Sequence, residues 1–159
     1  MIAEALAREV LALARARGLR IATAESCTGG MVAAALTDVA GSSDVFDRGF
    51  VTYSNAAKEA VLGVLPATLA AHGAVSEAVA AEMASGAQRN SLAELTVATT
   101  GIAGPGGSEY KPEGRVCFGL SLGGQTQVET IDFGPLGRAE VRLAATQHAL
   151  QLLQRALTA

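Results

Sequence analysis

Aromatic side chains are scarce in this chain of 159 residues: they make up 4%, and tryptophan is absent. A core built with few rings has to be filled by Ala, Leu and Val, which dominate the apolar half of the residues. Cysteine is almost missing as well. Cys27 and Cys117 are too few for a disulfide framework and lack the spacing of metal ligands. A reduced, cytoplasmic setting is the simplest fit. There is no excess of positive charge, and a net charge of −3 leaves no electrostatic footprint for nucleic acid. No apolar run is long enough to span a bilayer, and Met1-Ile2-Ala3-Glu4 does not read as a secretory signal. Neither a G-x-G-x-x-G fingerprint nor a Walker sequence is present, so a dinucleotide or P-loop site fits poorly. Lysine is rare too. Of 12 basic residues only Lys58 and Lys111 are lysines, which makes each informative in a chain that otherwise chooses arginine.

What is present is an interleaving of helix and strand patterns. Ile2, Leu6, Val10 and Leu13 recur at helical spacing, and Gly18 supplies a stop. An apolar strand over 19–24 hands through Glu25-Ser26-Cys27-Thr28-Gly29-Gly30 to a helix reaching about residue 39. Residues 45–54 read as a strand, and Ser54 or Asn55 can cap the short helix that holds Lys58. Leu65-Pro66 opens another helical turn, ended by Gly73. Ser76 caps a helix to about residue 90, with Val79, Met83 and Ala87 inward. Residues 95–100 form a nearly continuous apolar run, the signature of a buried strand, and open into a glycine-rich loop. Strands over 114–122 and 126–133 follow, joined by the hairpin signal Gly123-Gly124, before a last helix over 138–157. No repeat, low-complexity tract or linker divides 1–159. The expected fold class is α/β: one domain, a three-layer α/β/α sandwich with a mixed, mostly parallel sheet of about five strands.

Three segments end strands in polar or glycine residues. They are Glu25-Ser26-Cys27-Thr28, then Tyr53-Ser54-Asn55 with Lys58, then Thr99-Thr100-Gly101. Ligands of open α/β sheets sit beyond the carboxyl ends of the strands, so three parallel neighbours would line one crevice. The first segment has two readings. A strand that turns into a helix through Ser-Cys-Thr-Gly-Gly aims hydroxyls and free N–H groups at a spot suited to an anion or oxyanion. It is equally a tight turn capped by Thr28.

These motifs, extended to Ala24-Glu25-Ser26-Cys27-Thr28-Gly29-Gly30 and Thr99-Thr100-Gly101-Ile102-Ala103-Gly104-Pro105-Gly106-Gly107, resemble the CinA carboxy-terminal domain family. The resemblance covers essentially the whole chain. It implies hydrolysis of the carboxamide of nicotinamide mononucleotide to nicotinate mononucleotide and ammonia, in pyridine-nucleotide recycling. It also implies the three-layer fold. Longer members carry an amino-terminal domain resembling molybdopterin-binding proteins, which leads to the expectation of a stand-alone enzyme here. A non-catalytic, nucleotide-binding or regulatory module is the other expectation the family carries. Two places depart from its pattern. The loop Glu109-Tyr110-Lys111-Pro112-Glu113 puts a charge before Gly114 where a small apolar residue is expected. Gly134-Pro135-Leu136-Gly137-Arg138 stands in place of Gly-Asp-Arg.

Amide hydrolysis needs a nucleophile, a proton carrier and support for an oxyanion. Ser26 matches the family's serine. Cys27 is the rival nucleophile, or else a small residue packed behind the turn. His72 and His148 lie outside every motif, which leaves Lys58 as base and Tyr53 as relay or second hydroxyl. A free lysine has a pKa of roughly 10.4, so a base at neutral pH needs it lowered by burial or neighbouring cations. Lys58 reads alternatively as a surface lysine on a short helix. Glu25 either orients a catalytic group or bonds a nearby N–H. Thr28, Gly29, Gly30, Asn55, Thr100 and Gly101 are the candidate substrate contacts, the glycines alternatively supplying positive φ. Arg138 and Arg142, four apart at a helix start, share a face and oppose the helix dipole unless an anion sits between them. Arg142 matches the family's helix arginine and is favoured for the phosphate; salt bridges to Glu140 or other acids are the alternative. No metal-ligand cluster is visible, so neither metal nor cofactor is expected. The expected partner is a small-molecule nucleotide, with no nucleic acid and no membrane. Alanine-rich helix faces such as Ala78-Val79-Ala80-Ala81 allow a dimer.

Overall fold

The computed structural model describes residues 2–108 and 110–159. Met1 and Glu109, which belong to two of the stretches read above, lie outside them. The chain runs α1 (Ile2–Arg17), β1 (Ile21–Glu25), α2 (Met31–Thr37), β2 (Phe46–Val51), α3 (Asn55–Leu62), α4 (Pro66–His72), α5 (Glu77–Arg89), β3 (Leu95–Gly101), β4 (Arg115–Leu122), β5 (Gln125–Asp132) and α6 (Arg138–Thr158). This is the order expected from the hydrophobic periods. None of the helices is long and apolar enough to cross a membrane.

The five strands make one sheet in the order β2-β1-β3-β4-β5. β1 pairs in parallel with β2 and β3, whereas β4 is antiparallel to both β3 and β5. β4 therefore runs against the other four. The register decides where the three motifs end. Glu25 lies opposite Val51 on one side and Thr99 on the other. The carboxyl ends of β2, β1 and β3 finish side by side, and the segments that follow them share one edge of the sheet.

Alternation along the buried strands splits the core into two layers. Ile21, Leu95, Val97 and Phe118 pack with α1 and α6 through Val10, Leu11, Val141, Leu150 and Leu153. Val32 and Leu36 bring α2 into the same layer. Ala24 and Ala98 face the opposite way, against Leu62 of α3, Leu69 of α4 and Val79 and Met83 of α5. Threonines on that face are buried with partners. Thr96 donates to the carbonyl of Ala84 at 2.7 Å, and Thr100 to that of Ala74 at 2.8 Å.

The second layer closes tightly enough to require glycine. A Cβ on Gly119 would lie 2.3 Å from the Ala80 carbonyl oxygen, and one on Gly86 would lie 2.0 Å from that of Leu62. α5 thus touches both the sheet and α3 backbone to backbone. The serine caps form as read. Ser54 accepts from Ala57 N at 3.1 Å and Ser76 from Val79 N at 3.2 Å.

Gly86→Ala sets two effects against each other. In a free helix the change gains about 1 kcal/mol. Here it drives a methyl into a backbone carbonyl that cannot rotate away, at a cost of about 1–3 kcal/mol or more. The expected result is a melting temperature lowered by a few degrees in calorimetry. An unchanged or raised value would mean that α3 and α5 are not locked together.

Candidate active site

The site begins with the alternation of β1. Glu25 turns toward α2, and Ser26, one residue on, turns toward α3. Ser26 is half-buried. Its N–H donates to the Thr99 carbonyl at 2.9 Å, and its own carbonyl accepts from Gly29 N at 3.0 Å. Its Oγ accepts from Nζ of Lys58 at 2.9 Å.

Lys58 is 2% exposed. It sits one turn into α3, where its N–H donates to the Ser54 carbonyl. Side chains on a helix lean toward its amino terminus, so Lys58 reaches back to the edge where β1 and β2 end. There it also donates to the Thr52 carbonyl at 2.9 Å, while Thr52 N is bonded to the carbonyl of Glu25. A buried lysine needs polar partners to offset lost hydration, and the nucleophile candidate is one of them. The surface-lysine alternative is excluded.

Glu25 resolves differently from a substrate contact. It is 1% exposed, and its carboxylate accepts from Thr28 Oγ1 at 2.6 Å, Gly30 N at 3.2 Å, Val32 N at 2.9 Å and Ala33 N at 3.0 Å. It is the cap of α2, supplied from the preceding strand, and its charge complements the helix dipole. The residue at the cap position, Gly30, has φ 103° and no side chain to offer. Thr28, expected as the cap, instead links Glu25 to Thr99 through its hydroxyl, 2.8 Å from Thr99 Oγ1. The N–H groups of Gly29 and Gly30, expected to be free for an anion, are bonded within the turn. The Thr100 hydroxyl donates to the Ala74 carbonyl. Gly101 is needed for close approach rather than for positive φ. A Cβ there would lie 2.7 Å from Val116 Cγ2 and 3.1 Å from Cys27 Sγ.

Cys27 is packed behind the turn. Burial pushes its thiol up to about 12, partly offset by a hydrogen bond with Thr99. It stays protonated at neutral pH, and Lys58 Nζ rests on Ser26 Oγ, which favours Ser26.

The two arginines do share the site edge, but with different duties. Arg142, favoured for phosphate in the sequence, is half-buried and donates from Nε to the Cys27 carbonyl at 3.0 Å and from Nη2 to that of Thr28 at 3.5 Å. It clamps the turn that follows Ser26, and a Cβ on Gly29 would lie 3.0 Å from its Nη2. Arg138 is exposed. It donates to the Gly104 carbonyl at 2.8 Å and to the Tyr53 hydroxyl. Tyr53, expected as relay or second hydroxyl, accepts a hydrogen bond from Arg138 at the rim. Asn55, the first residue of α3, is exposed beside it.

Neither histidine reaches this edge. His148 pairs with Glu129 against Phe118, and His72 closes α4, exposed. Sequence reasoning missed Lys111 and Glu113. Lys111 Nζ donates to the carbonyls of His72 and Val75 and pins the glycine-rich loop to the turn between α4 and α5. Its rarity was a signal; its target, a pair of carbonyls, had none. A cavity of about 350 Å³ between Phe118, Leu122 and Leu152 is enclosed by β4, β5 and α6. Among the described residues no group of three His, Cys, Asp or Glu side chains could hold a metal ion.

Residues 3–157 match the family model described as CinA C-terminal domain. A CinA-like protein of Syntrophobacter fumaroxidans is 52% identical over 145 residues, covering 91% of this chain and 34% of that protein. The chain thus spans about a third of the length of such relatives. A shorter relative, the nicotinamide-nucleotide amidohydrolase PncC of Escherichia coli, is 50% identical over 149 residues, covering 93% of this chain and 90% of that protein. The crystal structure of the competence/damage inducible protein CihA from Agrobacterium tumefaciens superposes with a TM-score of 0.95 at 48% identity, covering 100% of this chain and 97% of that one.

Two measurements probe the turn. Glu25→Gln leaves at least one buried N–H without an acceptor, which costs about 1–3 kcal/mol. Its melting temperature should fall by several degrees, and an unaltered value would show that the carboxylate does not hold α2. With a pKa of about 12, the Cys27 thiolate at pH 8 amounts to about one molecule in 10⁴. Iodoacetamide should label Cys27 only after denaturation, read by peptide mass spectrometry.

Proposed function

The chain belongs to the CinA C-terminal domain family, and we propose that it hydrolyses the carboxamide of nicotinamide mononucleotide, giving nicotinate mononucleotide and ammonia. The observation that carries this reading is the 2.9 Å contact between Ser26 Oγ and the buried Lys58 Nζ. The activity named for the Escherichia coli relative, whose length the chain nearly matches, supports the choice of substrate.

In its neutral form Lys58 accepts the Ser26 proton as Oγ attacks the carboxamide carbon. The tetrahedral intermediate collapses by breaking the C–N bond. Lys58 returns the proton to the departing nitrogen, and ammonia leaves an acyl-enzyme on Ser26. Water attacks that ester, Lys58 takes its proton and hands it back to Ser26 Oγ, and nicotinate mononucleotide is released. Gly29 and Gly30 use their N–H groups within the turn and leave the oxyanion to other donors. Arg142 stiffens that turn through the Cys27 and Thr28 carbonyls. Arg138, exposed and already facing an oxygen of Tyr53, receives the phosphate. Tyr53 and Asn55 border the nucleotide. No step calls for a cofactor. The setting is the cytoplasm, where the two free thiols, Cys27 and Cys117, stay reduced.

Purified protein mixed with nicotinamide mononucleotide should release ammonia. Ser26→Ala and Lys58→Met should each lower kcat by at least about 10³-fold in a folded protein, and Cys27→Ser should keep turnover. Binding of the nucleotide without ammonia at high enzyme concentration would replace the hydrolase with the regulatory module. A fully active Ser26→Ala would remove the nucleophile.

A further inference from the structure

Glu113 enters no step above, yet its carboxylate joins two loops at the rim of the site. It is half-buried just before β4. Oε1 accepts from Gly106 N at 2.6 Å, and Oε2 accepts from Gly137 N at 3.3 Å. Gly104, with φ 93°, packs directly on the carboxyl group, where a Cβ would lie 2.6 Å from Cδ. These contacts converge on Arg138. Gly137 is the residue before it, and Gly104 supplies the carbonyl that receives its Nη1 at 2.8 Å. One carboxylate therefore fixes both the backbone from which Arg138 springs and the loop that aims its guanidinium.

We propose that Glu113 is a positioning residue for substrate recognition: it presets Arg138 over the Ser26 crevice to receive the phosphate of the nucleotide. The inference rests on the reading of the site as a nicotinamide mononucleotide hydrolase. Arg138 is an exposed, long side chain attached beyond a loop with two positive-φ glycines, Gly134 and Gly137. Ordering such a chain on binding costs affinity unless the order is already built in. Glu113 builds it through neutral N–H groups. Among the described residues it forms no ion pair with Arg138, so the guanidinium keeps its charge for a phosphate dianion. The Tyr53 hydroxyl occupies Arg138 Nη2 and marks where a phosphate oxygen can dock.

The test compares nicotinamide mononucleotide with nicotinamide riboside, the same amide without phosphate, in steady-state kinetics of the whole protein. Glu113→Ala should raise KM for the mononucleotide about tenfold, the scale of one charge-assisted contact, with kcat within about twofold. For the riboside, kcat/KM should match wild type. Glu113→Gln, which keeps one acceptor, should fall between, and serves if Glu113→Ala does not fold. In the Arg138→Ala background Glu113→Ala should add nothing. Equal losses on both substrates, a fall in kcat alone, an unchanged KM or an additive double variant would each overturn the proposal. If wild-type protein released no ammonia, the hydrolase reading would fail separately. Calorimetric binding of both ligands to Glu113→Ala would still decide the positioning role, by whether only the phosphate-bearing one is weakened.

Discussion

The carboxylate of Glu25 is the contact on which the site is built. It ends the central strand of three parallel neighbours and accepts the N–H groups of Gly30, Val32 and Ala33 together with the Thr28 hydroxyl. A buried carboxylate with so many donors is both satisfied and directional. It fixes where α2 starts and the path of the chain between. Period-two alternation then leaves Ser26 facing the other layer. The helix start keeps its donors for Glu25, so its positive end stabilises the fold.

Across that turn the second layer supplies the base candidate. β2 ends at the same level as β1, Ser54 caps α3, and Lys58 reaches back to the edge, where Ser26 Oγ and the Thr52 carbonyl receive it. Arg142 arrives from α6 behind the turn, and Arg138 from the start of the same helix in front of it. Two cations at a helix amino terminus are unfavourable for the dipole, but each has carbonyl oxygens to bind. Tight packing keeps the parts in place. Gly101 admits Cys27, and Gly86 and Gly119 let α5 approach α3 and the sheet.

Two loops singled out in the sequence meet in space. Glu113 stands before Gly114, and its Oε2 receives the N–H of Gly137 in the stretch 134–138. A carboxylate from one loop thus serves the helix start of another. No local period or spacing links residues 24 positions apart, so only folding brings them together.

Much was legible in the sequence. Hydrophobic period two or 3.6, with Ser54, Ser76, Pro66 and the glycine stops, is a local property, so the elements and the α/β class followed from it. The three polar strand ends were local too, and they pointed to Ser26, Tyr53 and Lys58 together. What the sequence by itself determined was therefore which segments form, which faces they bury and which residue types stand at the site edge. The tertiary structure decided the assignments among them. It gave Glu25 rather than Thr28 the cap, turned Tyr53 toward Arg138, put Arg142 on the turn and left Arg138 at the rim. The reason is physical. A side chain's capacity to donate, accept or carry charge is set by its type, but its partner is set by strand register and helix placement, which depend on the whole buried core at once.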